Sequence, residues 1–421
     1  MKGIPVRLLF VTLLIQTMAV AQRTPDPNNA GLKLPAGFGA IVVMPELGRS
    51  RHLVVNSNGD IYVKLDRIRR NGKGIMVLRE NANGKAVIID SFGNYGGTGI
   101  TIKNGYLYAS SDFDVYRYKL NENNKVANPD APEKIVTGLL SKRQHQTKSI
   151  VLDNAGNIYV NIGAPSNACQ EQDRQPGSKG LDPCPLLDSA AAIWQFKADK
   201  LNQSYPEGVR YATGIRNVVG FDWNNTNNEL YAMQHGRDGF YQMYPELYDS
   251  VASAELPAEE LMLVKKGSNF GWPYCYYDQL QNKKLLAPEY GGDGKTTGRC
   301  EGMDQPLIGF PGHWAPNALL FYTGNMFPEK YRNGAFIAFH GSWNRAPLMQ
   351  QGYNVVFVPF KDGKPTGEWE VFADGFIGKE EIKVPREAQF RPCGLAQGPD
   401  GSLYISDSVK GRIWKIVYTG K

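Results

Sequence analysis

The chain has 421 residues, 42% of them apolar and 21% charged, enough hydrophobic material for a large folded core and far from a low-complexity or fibrous composition. Its formal charge of +6, falling to +4 without Lys2 and Arg7, is too mild and too evenly spread for a nucleic-acid binder. Its 46 glycines, 26 prolines and 22 tyrosines favour short strands and tight turns over helices.

Residues 1–21 read as a secretory signal peptide. Lys2 and Arg7 form a basic start, LLFVTLLIQTMAV an apolar centre, and Ala19-Val20-Ala21 a small-residue cleavage site before Gln22. The apolar run is shorter than the roughly 20 residues a helical span needs. The expected mature chain is therefore periplasmic or secreted, with no membrane span. Residues 22–34, with RTPDPNNAG, form a polar leader of disordered composition. From 35 to 419 no linker or composition shift intervenes, which predicts a single domain.

A repeat runs through that domain. A glycine or asparagine turn followed by a short apolar-tyrosine strand appears as NSNGDIYV, IKNGYLYAS, DNAGNIYVNIG, NNTNNELYAM, KYRNGAFIAF and GPDGSLYISD. Each copy has the period-2 pattern of a hairpin whose turn needs a positive φ. Six such copies predict an all-β fold, a six-bladed β-propeller with one blade per copy. Seven blades is the alternative, since the interval from Tyr231 to Ile337 has room for another. A blade needs only about 40–45 residues, so long insertions are expected at 165–190 and 237–305. Cys169 and Cys184 bracket one polar loop and Cys275 and Cys300 another. Two disulfides are predicted there, with Cys393 left as a buried free thiol.

In a propeller, ligands bind where the loops flanking the innermost strands converge. Candidate site residues should then stand just before or after the repeat hairpins. His145 precedes the third hairpin; His235 and His340 follow the fourth and fifth; His313 lies in GHWAPN, and His52, before the first, reads as structural or surface. No H-x-x-x-H spacing supports a histidine metal cluster. Arg216 and Asn217 precede the fourth hairpin, Arg345 follows the fifth and Arg391 precedes the sixth. Guanidiniums aimed at one channel call for an anion, and their planar forks match carboxylates.

These segments resemble the soluble pyrroloquinoline-quinone-dependent sugar dehydrogenases: soluble glucose dehydrogenase, pyranose dehydrogenases and L-sorbosone dehydrogenase-like proteins. The matching pieces are HQTKSIVLDNAGNIYVNIG, YATGIRNVVGFDW, MQHGRDG, GSNFGWPYCYYD, HWAPNALLFYTG, AFHGSWNR and FRPCGLAQGPDGSLYISD, with SNACQEQDR nearest the sorbosone branch. The resemblance implies a quinoprotein that oxidises an aldose, pyranose or sorbosone-like sugar by hydride transfer to pyrroloquinoline quinone (PQQ) and passes electrons to a soluble acceptor. It implies His145 as general base and Arg216 as the residue stabilising charge on the quinone. Asn217, Arg391, Arg345 and His340 would hold the cofactor, and Trp314 would be a sugar platform. The main-chain carbonyls of His235 and Gly236 would bind Ca²⁺. One departure bears on His145: the glucose enzymes carry an acid just after the motif's final glycine, where this chain has Ala164-Pro165-Ser166-Asn167. Two other readings of the same residues are a calcium-dependent propeller lactonase and a non-catalytic carbohydrate-binding propeller.

Overall fold

The structure, a computed structural model, describes residues 24–420; the expected signal peptide lies outside the described residues. The repeat hairpins become the first two strands of six blades, each a four-stranded antiparallel sheet, to which the second adds a short fifth strand, Gln203–Ser204, parallel to Glu133–Thr137. The innermost strands are Ser50–Val55, Ile100–Lys103, Ile150–Leu152, Val218–Asn224, Pro316–Phe321 and Pro392–Gln397. Each touches the next and the last touches the first, closing a ring around a central channel. Every hairpin turn contains the positive-φ residue its sequence offered: Gly59, Gly105, Gly156, Asn228, Asn333 and Gly401. The repeated tyrosines are buried and pack between blades. The Tyr159 ring stacks on Trp223 of the next blade, and Tyr231 lies against Phe321.

Ring closure is made by distant parts of the chain. Phe38–Met44 pairs antiparallel with Ile413–Tyr418, so the first strand completes the sixth blade as its outermost member. Residues 24–34 differ from the expected disordered leader, for they cover that outer strand. The Asp26 amide donates to Ala40 O at 2.8 Å, its carboxylate accepts from the Val42 amide at 2.7 Å, and Leu32 is buried. An exposed strand edge has unpaired amides, and polar leader side chains satisfy them.

The count is six blades. Between Tyr231 and Ile337 lie the outer two strands of the fourth blade, Glu259–Val264 and Ile308–Phe310, rather than a seventh sheet. The rest of that interval holds two short helices and the hairpin Cys275–Asp278 with Lys283–Leu286. Both predicted disulfides, Cys169–Cys184 and Cys275–Cys300, are present, and Cys393 is a buried free thiol. The two insertions they staple pack together: the Gly180 amide donates to Glu289 O, and the Tyr290 hydroxyl to Ala168 O. Because each repeat turn lies at the opposite end of its blade, the loops before first strands and after second strands share one end of the channel. The first insertion and residues 237–258 of the second are therefore on that mouth. Residues 265–307 leave from the opposite end and reach the mouth along the third blade's edge, where the Trp272 Nε1 donates to Asn167 O.

Candidate active site

His145 sits in the loop entering the third blade with a positive φ of 51°, a conformation a non-glycine residue adopts only when its surroundings impose it. What imposes it is visible. The Nδ1 atom lies 2.5 Å from the Ala164 carbonyl, which can only accept, so Nδ1 carries the proton and Nε2 is left as a lone pair. Gly163 makes the approach possible, since a Cβ there would stand 2.6 Å from both the His145 Cβ and the Asn217 Oδ1. Burial, aided by the Arg216 charge, pushes the imidazole down to about 3, so it is neutral at ordinary pH. The loop after Gly163 is ordered by Asp173, whose carboxylate accepts from the Ser166 hydroxyl, the Asn167 amide and the side chain of Gln144, the neighbour of His145.

Arg216, at the entry to the fourth blade, is buried among acceptors. Its Nη2 meets Asp238 Oδ2 at 2.8 Å and Asn167 Oδ1 at 3.0 Å, while Nη1 meets Gly236 O at 2.9 Å. Asp238 is the hub of the mouth. The same Oδ2 takes Arg174 at 2.9 Å, Oδ1 takes the Asn344 amide at 2.7 Å, and His313 Nδ1 is 3.8 Å from Oδ1. Burial alone would raise this carboxyl; Arg216 and Arg174 outweigh it and hold it far below the usual range. Asp238 also acts on His145 through its charge. The carboxylate whose charge reaches His145 thus belongs to the fourth blade rather than to the position after Gly163, and among the described residues it makes no hydrogen bond to the imidazole. Sequence reading passed over Asp238, although it stands in the very MQHGRDG turn singled out for its carbonyls, and over Arg174 and Asp173 in SNACQEQDR.

A cleft of about 430 Å³ opens at the same mouth, lined by His340, Arg391, Ser408, Arg51, Asp66 and neighbours from the first and sixth blades; His145, Arg216 and Asp238 do not line it. Arg391 donates to the main-chain oxygens of His340 and Gly341, and His340 Nε2 meets Ser408 Oγ at 2.7 Å. Arg51 donates from Nε to Thr98 Oγ1 at 3.1 Å. Neither Arg51 nor Arg391 has an ion pair among the described residues, although Asp66 lines the same cleft and the Asp407 charge reaches Arg391, so two guanidiniums face the cleft without a carboxylate in contact. Arg51 was also missed, though it stands just before the first hairpin where the placement rule looks. His235 joins the two halves, lying within electrostatic reach of Arg216 and of Arg51; burial lowers it to about 4. Asn217 Oδ1 is taken by Asn161 Nδ2, while its own amide N–H₂ makes no hydrogen bond among the described residues.

Two expected site residues turn away. Arg345 is buried and saturated, with Nη2 on Glu255 at 2.5 Å and Nη1 on the carbonyls of Ala254 and Gly312, because it ties an insertion helix to the fifth blade's entry. Its neighbour Asn344 reaches the site instead. Trp314 is packed edge-on against Phe339 and Trp369 inside the fifth blade, leaving no face for a sugar.

The unpaired arginines, with the free amide of Asn217, fit a planar polycarboxylate such as PQQ. Calcium fares differently. Gly236 O already accepts from a guanidinium, and among the described residues no three His, Cys, Asp or Glu side chains converge for a metal. Ca²⁺ takes about six to eight oxygens, so with no such side-chain cluster among the described residues a bound Ca²⁺ would rest on main-chain carbonyls and on oxygens of the cofactor.

A family model described as TrAA12-like matches residues 32–419. The chain is 23% identical to the pyrroloquinoline quinone-dependent sugar dehydrogenase of Hypocrea jecorina, covering 92% of this chain and 90% of that one. It is 25% identical to the pyrroloquinoline quinone-dependent pyranose dehydrogenase of Coprinopsis cinerea, over 93% of this chain and 55% of that longer one. A solved structure described as the calcium structure of the Trichoderma reesei Carbohydrate-Active Enzymes Family AA12 superposes with a TM-score of 0.72 at 21% identity. It covers 92% of this chain and 97% of its own. That likeness carries the fold.

Proposed function

The chain belongs to the TrAA12-like family, and from that premise we propose that it is an exported PQQ-dependent sugar dehydrogenase. The observation that carries the reading is the juxtaposition of a base-competent imidazole with unpaired guanidiniums at one mouth. His145 keeps Nε2 unprotonated because Nδ1 is committed to Ala164. Arg51 and Arg391 face the cleft at that mouth without a carboxylate in contact.

PQQ, when bound, supplies a quinone carbonyl that accepts hydride equivalents. Arg51, Arg391, Asn217 and His340 would hold its carboxylates and ring oxygens. His145 Nε2 takes the hydroxyl proton of the sugar carbon being oxidised, the step for which a positioned imidazole contributes roughly 10²–10⁴-fold. The imidazolium so formed keeps its Nδ1 bond to Ala164 O and is balanced by the Asp238 charge. Arg216, locked by Asp238 and Asn167, offers a fixed positive group to developing negative charge. Its anchors are in place before any ligand arrives, so little reorganisation is needed.

The test is direct. Apo-protein is incubated with PQQ, with and without Ca²⁺, and assayed for dye reduction with a panel of aldoses and pyranoses. Saturable cofactor binding and sugar-dependent reduction are expected. Failure to bind PQQ would remove the reading.

A further inference from the structure

Outside the cleft, the mouth has a basic rim that sugar oxidation does not use. The loop at 66–73 joins the second and third strands of the first blade, Ile61–Leu65 and Ile75–Glu80, and therefore stands on the mouth. It carries Arg67, Arg69 and Arg70, all exposed, and Arg49 stands beside them at the entry to the same blade. Among the described residues the ion pairs of this group are with Asp66, at 3.9 Å from Arg49 and 3.7 Å from Arg67; Glu46 lines the outer cleft beside them, and Arg69 and Arg70 have no ion pair. Two apolar side chains break the surface within the rim, Ile68 at 49% exposed and Val409 at 43%. The cleft holding His340 and Arg391 and a second, outer cleft lined by Arg67, Ile68 and Arg69 share Arg49 as a common wall.

We propose that this rim docks an acidic one-electron carrier protein, which collects the electrons of sugar oxidation; the proposal rests on the quinoprotein reading above. The internal arginines Arg51 and Arg391 already answer the carboxylates of a cofactor, and a neutral sugar gains nothing from guanidiniums outside the cleft. An acidic protein surface gains both steering and orientation from them, while Ile68 and Val409 offer the apolar points a short-lived contact needs. The location matches the task, since a carrier seated on the first and sixth blades lies over the cleft. The balance is simple. Oxidising one sugar carbon releases two electrons and two protons, so two carriers are each reduced by one electron and the protons pass to water.

The probes are an acidic and a basic c-type cytochrome of similar potential, followed by stopped flow with PQQ-loaded, sugar-reduced enzyme. A neutral dye is the control, and calorimetry measures cytochrome binding to the apo-protein. The acidic cytochrome should be reduced faster, at a rate that falls steeply as salt screens the rim. The triple variant Arg67→Glu, Arg69→Glu, Arg70→Glu should cut its second-order rate constant at least about tenfold. Dye reduction should be unchanged and apo-protein binding lost, with the triple Gln variant falling between. Equal rates for both cytochromes, salt independence, or an unaffected triple variant would overturn the proposal. So would a triple variant that raises the KM of an anionic uronate sugar while cytochrome reduction is untouched, because the rim would then serve substrate. Absence of dye reduction in the unaltered protein marks failure of the quinoprotein reading itself, and the electron-transfer role falls with it even if the acidic cytochrome still binds.

Discussion

Five histidines in this protein are buried enough to be held neutral. Burial lowers His52 and His235 to about 4 and His145 to about 3, and shifts His313 and His340 in the same direction. In the unfolded chain each titrates near 6.5, so below that pH the unfolded state binds more protons and stability falls as pH drops from 6.5 toward 4. Asp222 and Glu259, raised by burial to about 7 and 8, act in the opposite sense across this window, but they are two groups against five. The net expectation is acid destabilisation. Urea titrations from pH 4 to 7 should show it, and His52→Asn should flatten the slope by up to about 1.4 kcal/mol per pH unit. A second residue-scale expectation concerns Gly163. Gly163→Ala must push apart His145 and Asn217; it should cost about 1–3 kcal/mol in stability as overpacking does, and lower turnover more than tenfold with PQQ binding weakened as well. The importance of His145 was legible from its place before a hairpin. That of Asp238 was not, because ion pairs between loops of different blades leave no spacing in a single sequence.

The two long insertions are what turn a common scaffold into this mouth. Cys169–Cys184 staples the loop that presents Asn167, Asp173 and Arg174, and Cys275–Cys300 staples the one that meets it. Within the second insertion runs a fully buried ion pair, Arg237 Nη1 to both oxygens of Glu289 at 2.5 Å, and the Glu289 carbonyl in turn accepts from Gly180 of the first. Removing one partner strands a buried charge, so Arg237→Ala should lose about 3–5 kcal/mol, measurable by denaturant titration. A cost near zero would show that this pair does not hold the second insertion's start to its stapled loop. The disulfide pairing was readable from cysteines bracketing loops in an exported chain. The inward turn of Arg345 was not, since only packing reveals that Ala254, Glu255, Gly312 and Met349 take up its guanidinium.

The ring itself was the most legible feature. Positive-φ turns and alternating strands are local requirements, repeated six times, and six sheets result. What the repeat could not convey is that residues before the first hairpin complete the last blade, because strand pairing across the whole chain has no local signature. Closure brings Arg51 of the first blade beside Arg391 of the sixth, and so makes the cleft at the mouth that holds His145 and Arg216. The central claim is that this cleft binds PQQ while His145 removes the substrate proton. It is tested most directly by single-turnover reduction of PQQ-loaded His145→Ala with a sugar that the unaltered protein oxidises. The account predicts cofactor affinity close to that of the unaltered protein and a reduction rate lower by about 10²–10⁴. An unchanged reduction rate in the loaded variant would contradict it.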